Sequence, residues 1–284
     1  MPLRRRTFLA TVAAAGAGTL AGCAHPNAVL TMTDVSDDAD LADRYARDPP
    51  ESDLFDELIA NGTATETGTA RQIDTDRPYA TADGYYSVSI ERDPAPDGTR
   101  VSVETEYETV GSGTPLADFP ERDRALLNGL FPKPDDLPED TGYGVGEVYA
   151  PEVATESRLV NGDVTAVEYE GTAYAVTVET RPASRYEFTY TAERVAPDAA
   201  TLAADLRERY RFTLDGLSEA EREVVATATG DGYYEGSASD AFESLARRFR
   251  EHDPVVGEAG ENGQYLARYE GTDYWADLYA PFVD

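Results

Sequence analysis

The segment Val167-Glu168-Tyr169-Glu170-Gly171-Thr172-Ala173-Tyr174 returns as Ala267-Arg268-Tyr269-Glu270-Gly271-Thr272-Asp273-Tyr274, so the box Y-E-G-T-x-Y recurs 100 residues further on. A Glu-Gly pair between Tyr, Val and Thr reads as a tight hairpin turn, because glycine accepts the positive φ such a turn demands. The likeness extends upstream. Phe119-Pro120-Glu121-Arg122-Asp123-Arg124 and then Leu126-Leu127 precede the first box, while Leu217-Ser218-Glu219-Ala220-Glu221-Arg222 and then Val224-Val225 precede the second. Both read as helix starts. Ser218 with Glu221 three residues on is a capping box, and Pro120 suits a first helical turn in which Glu121 and Asp123 meet the positive end of the helix dipole.

A fainter relative stands ahead of these two. Leu54-Phe55-Leu58-Ile59 has helical spacing and is followed by Asp83-Gly84-Tyr85-Tyr86-Ser87-Val88-Ser89-Ile90, again an acid-Gly turn leading into an alternating strand. That strand is expected to continue through Asp93 to Gly98 into Val101 and Val103, and Ala175 to Val178 through Arg181 to Ser184 into Tyr186 and Phe188. Leu202, Leu206 and Tyr210 form one further helical stripe, and Phe242, Leu245 and Phe249 another. The expected fold is α+β: two or three repeated small modules, each a helix followed by an antiparallel β-hairpin or meander. Their expected bounds are residues 53–112, 113–197 and 198–284.

Charge narrows the function classes. Against 55 Asp+Glu there are 24 Lys+Arg, a net charge of -31 and a pI near 4.2. Nucleic-acid binding, which draws on cations that displace phosphate counterions, is excluded as a reading. One Cys forbids an internal disulfide, and two His leave little material for a Ser-His-Asp site. Neither a Gly-rich phosphate loop, a CxxC pair nor an HExxH motif occurs, so no cofactor and no metal is expected. Of the 24 cations all but Lys133 are arginine. Such a surface repels itself in dilute buffer and is screened in brine, where the Debye length falls to about 3 Å at 1 M salt.

The first 22 residues read as an export signal. Arg4, Arg5 and Arg6 precede Thr7-Phe8-Leu9, giving R-R-x-F-L with Arg5, Arg6, Phe8 and Leu9 in the key positions. Ala10 to Leu20 is apolar, yet too short to span a bilayer. Leu20-Ala21-Gly22-Cys23 then matches a lipobox, placing the sole Cys where a lipid would be attached. Residues 23–52, acidic and punctuated by prolines, read as a tether. With its acidic, Lys-poor composition, the chain resembles the twin-arginine-exported lipoproteins of haloarchaea, and its box resembles their small Y-[DE]-G-T-x-Y modules. The resemblance implies a location at the outer membrane surface, held by lipid on Cys23, and no particular reaction.

Candidate site residues are few. Asn61-Gly62-Thr63 matches a glycosylation acceptor, with an Asn-Gly helix cap as the rival reading. Tyr169, Tyr174, Tyr269, Tyr274 and Trp275 could display rings to a glycan or protein partner, with cross-strand packing as the preferred alternative. His252 reads as a cation at a helix C-terminus. No catalytic residue is assigned. The expected function is a noncatalytic binding or structural role at the cell surface, the alternatives being an exported carboxylate-dependent hydrolase of surface glycans or an accessory subunit of a membrane complex. The charge balance makes one outcome testable: thermal melts should rise from dilute buffer to molar salt, and equal midpoints would refute salt-dependent compaction.

Overall fold

The computed structural model describes residues 26–133, 142–257 and 261–281. The fold is α+β with largely antiparallel sheets, and it divides into two compact units, one of residues 38–204 and one joining residues 1–37 to 205–284. The boundary expected at 197/198 lies seven residues before the division at 204/205, whereas that at 112/113 falls inside a unit. Strand pairing between segments far apart in sequence crosses it.

In the discontinuous unit, five strands lie in the order Phe212–Thr213, Asn262–Tyr269, Thr272–Tyr279, Ala28–Asp34, Tyr233–Glu235. All neighbours are antiparallel except the first pair, in which Phe212 faces Ala267. Helix Glu219–Ala228 begins at the expected capping box, and helix Asp240–Arg250 begins where the Ser239 hydroxyl accepts the Phe242 N–H at 3.3 Å. Phe242, Leu245, Ala246 and Phe249 recur on one face of the second helix and are buried in a core with Leu30, Val225 and Tyr265.

The segment expected as a tether is folded. Ala28, Leu30 and Met32 alternate into that core while the strand pairs on both sides. Asp34 through Asp40, which composition marks as solvated, instead ends this strand and opens helix Asp38–Tyr45, with Asp38 and Asp40 in its first turn. A period of two hidden in an acidic stretch outweighed composition.

The second unit holds a sheet in the order Thr63–Gly68, Thr177–Ala196, Gly84–Thr105, Tyr79–Thr81, with Tyr143–Tyr149 also on Gly84–Thr105. As expected, the strands continue through residues 93–98 and 181–184, and the resulting strands of 22 and 20 residues pair with each other. At Pro94, Pro96 and Pro182 each strand has a neighbour on one side only, an edge setting in which a residue without an N–H is tolerated. A four-stranded sheet follows in the order Thr109–Val110, Thr172–Ala175, Ala166–Tyr169, Thr114–Pro115.

Both boxes form two-residue hairpins. Glu170 and Gly171 have φ 48° and 78°, and Glu270 and Gly271 have φ 49° and 88°, with both central residues left-handed as the strand twist requires. The acid-Gly pair Asp83-Gly84 behaves differently. Thr81 faces Gly84, so the turn is centred on Ala82 and Asp83, and Gly84 is a strand residue at φ 141° whose Cβ would meet the Ala196 carbonyl at 2.6 Å. Since Leu30 is fully buried, Leu30→Ala should cost about 2–5 kcal/mol in denaturant unfolding at fixed high salt. A solvated tether would register no change.

Candidate functional site

Chemistry in so acidic a chain is expected where a carboxylate leaves water. Among the described residues three do: Asp123, Glu221 and Asp273. Asp123 is the third residue of helix Glu121–Leu127 after its Pro120 cap. The Ser157 hydroxyl donates to its Oδ1 at 2.7 Å, and the Arg158 and Leu159 N–H groups donate to Oδ2 at 2.7 and 3.2 Å. It thereby closes the start of the short helix Arg158–Asn161 from outside. Burial, helped by the nearby Asp123 charge, pushes the Tyr149 phenol up.

Glu221 occupies the same place in helix Glu219–Ala228. Oε2 accepts the Ser218 N–H at 2.7 Å, and Oε1 accepts the Ser244 hydroxyl at 2.8 Å and Arg248 Nε at 3.1 Å. Burial alone would raise its pKa. The hydrogen bonds from Ser218 and Ser244, with Arg248, outweigh that and hold it at about 2.

Asp273 stands at the variable position of the second box, where the first has Ala173. Arg207 Nε and Arg211 Nη1 reach its Oδ2 at 3.0 and 3.2 Å, and Arg268 Nη1 lies 3.7 Å from Oδ1. Its backbone grips the end of the N-terminal strand: the Val35 N–H donates to the Asp273 carbonyl at 2.8 Å, and the Asp273 N–H donates to Ser36 Oγ at 3.2 Å. The sequence marks Glu221 by its capping-box spacing and Asp123 by its place in a first helical turn, and marks none of the three as an interior group.

The aromatic candidates divide. Trp275 is fully buried, which corrects its placement on an exposed binding surface; the pleat turns it inward beside the left-handed turn. Tyr169 and Tyr174 are half-buried around Phe131, at centroid distances of 5.8 and 5.4 Å, and Tyr107 meets Tyr174 edge-on at 6.2 Å. Tyr269 and Tyr274 pack against the core of their own unit. Asn61 is the exposed last residue of helix Asp53–Asn61, and Gly62 is its left-handed cap. His252 stacks on Phe212, 4.0 Å between ring centroids. Cys23 and the signal residues Arg5, Arg6, Phe8 and Leu9 lie outside the described residues.

Open clefts are polar or shallow. One of about 520 Å³ is lined by Glu104, Glu106, Glu108 and Tyr143; another of about 890 Å³ lies along helix Asp53–Asn61 beside Pro49, Pro50 and Asp83. Among the described residues every carboxylate whose pKa shifts, namely Asp76, Asp83, Asp198 and Glu221, shifts downward, the direction of a hydrogen-bond acceptor and not of a general acid. Among the described residues no three His, Cys, Asp or Glu side chains are grouped to hold a metal ion, and no helix is long and apolar enough to cross a membrane. No family model, curated protein or solved structure matches the chain.

Glu221 makes the fold acid-sensitive in a defined window. Its folded pKa lies below the ordinary 4.5, so its contribution is complete above about pH 4.5 and is lost as pH falls towards 2. With screening allowed for, the loss is on the order of 1–2 kcal/mol. Glu221→Gln should be less stable than the parent at neutral pH, and the gap should narrow over that window in pH-dependent denaturation.

Proposed function

We propose that the protein is a noncatalytic, lipid-anchored component of the extracellular membrane surface, built from repeated modules and serving in binding or structure. The observation that carries this reading is the use made of the three buried carboxylates. Asp123, Glu221 and Asp273 are the groups best placed to have unusual reactivity, and each is held by donors that fasten one element to another. Acids held this way are structural fasteners.

Local geometry supports the modular part of the proposal. In the first box a short strand pairs in parallel two residues before the first tyrosine, Thr114 facing Val167, and in the second Phe212 faces Ala267. An antiparallel partner then faces the last tyrosine of each box, Thr109 opposite Tyr174 and Asp34 opposite Tyr274. A buried acid at the third helical position is bonded to a later serine in both, Asp123 to Ser157 at the cap of helix Arg158–Asn161 and Glu221 to Ser244 within helix Asp240–Arg250. The fainter relative has the same order in outline: Arg47 bridges Tyr79 in parallel, Tyr79–Thr81 turns into Tyr85, and Tyr85 faces Ala196. Its third helical residue is Phe55 instead of an acid.

The anchor rests on the R-R-x-F-L run and the lipobox ending at Cys23. A hydrolase reading keeps one observation in its favour, the glutamate-lined cleft at Glu104, Glu106 and Glu108. Two measurements separate these. Mass spectrometry of the membrane-associated protein should find Cys23 acylated, and Cys23→Ser should release the protein into the medium. An unmodified Cys23 in membrane-free medium would refute the anchor, and saturable glycan turnover abolished by Glu106→Gln would replace the noncatalytic role.

A further inference from the structure

We propose that the sheet of the discontinuous unit is an acceptor for the strand Ala28–Asp34 of a second copy of this chain, so that copies join by exchanging that strand. The rest of this unit is contiguous in sequence from residue 205 onward, and only this one strand reaches it from the other end of the chain. It is inserted between Thr272–Tyr279 and Tyr233–Glu235 and pairs with both. Ala28, Leu30 and Met32 are buried in the core of this unit. A groove flanked by two strand edges and floored by apolar side chains recognises an extended segment with apolar residues at every second position.

The same strand from another copy makes identical hydrogen bonds and buries identical side chains. Effective concentration alone decides which copy supplies it. Three residues, Val35 to Asp37, separate the strand from helix Asp38–Tyr45, and short hinges of this kind favour exchange over local refolding. The hinge is held by the Asp273 cluster. Val35 and Ser36 bond to the Asp273 backbone, and Arg207 Nη2 donates to the Ser36 carbonyl at 3.0 Å while its Nε holds the Asp273 carboxylate. Release of that carboxylate frees the path by which the strand leaves. Exchange goes beyond the noncatalytic reading: anchoring on a membrane would raise its extent, yet the test below is done in solution and does not depend on the anchor.

The experiment uses two full-length chains, both carrying Cys23→Ser, one with Thr31→Cys and the other with Asp277→Cys. Thr31 and Asp277 face each other across the ladder, with Thr31 Oγ1 3.4 Å from Asp277 Oδ2, and neither chain can form this disulfide alone. The chains are refolded together in molar salt, oxidised and analysed on non-reducing gels with mass spectrometry. The expected result is a disulfide between residues 31 and 277 of different chains, rising with protein concentration and scarce when separately folded chains are mixed. Leu30→Asp in the donor should remove it. Monomers alone at every concentration would overturn the proposal. So would a cross-link that survives Leu30→Asp, because it would record chance encounters of thiols.

Discussion

A two-stranded hairpin leaves both outer edges unpaired, and in water it is marginal until a third strand covers one of them. Among the described residues three hairpins meet that requirement with a segment from outside the hairpin. Thr109–Val110 closes Thr172–Ala175, Ala28–Asp34 closes Thr272–Tyr279, and the end of Thr177–Ala196 closes the start of Gly84–Thr105. Several helices have fewer than ten residues, a length at which a helix is marginal by itself in water. Stability therefore arises from closure, and closure is non-local. Removing a single closing strand exposes a sheet edge and empties a row of core positions together.

The interior polar groups follow from the same requirement. Taking a carboxylate out of water costs several kcal/mol unless its lone pairs are filled, and helix starts carry the N–H donors best suited to fill them. Asp123 and Glu221 sit at such starts and each joins a second helix, while Asp273 sits on a strand and gathers arginines. Exposed acids behave differently. They are spread over a surface whose mutual repulsion salt can screen, whereas the three interior acids are shielded from salt. Of these, Glu221 also ties stability to pH, because its pKa is lowered on folding.

Local chemistry was legible in the sequence. The Glu-Gly turns, the capping box at Ser218, the helix of Phe242, Leu245 and Phe249, and the Asn61-Gly62 cap all stand where residue type and spacing put them. What escaped was whatever depends on a partner distant along the chain. The alternation of Ala28, Leu30 and Met32 is only three residues deep, and its meaning comes from strands more than 200 residues away. Trp275 adjoins an exposed-looking turn, yet the pleat turns it inward. Asp273 looked like one acid among many because nothing local distinguishes a carboxylate that three arginines surround.

The difference between the boxes at their variable position has a physical explanation in how each sheet is closed. In the first, the closing strand Thr109–Val110 lies four residues from Thr114–Pro115, the parallel strand on the opposite edge of the same sheet, so the chain itself keeps it near. A small residue suffices there, and Ala173 is buried without a polar partner to satisfy. In the second, the closing strand arrives from the far end of the chain, and the entropy of bringing it in is correspondingly larger. Asp273 is placed where that strand ends, and through Val35, Ser36 and Arg207 it fixes the exit. An acid at this position thus adds a fastening at the end of the strand with the longest way to travel. It also makes that strand the one whose attachment a change of a single residue can loosen.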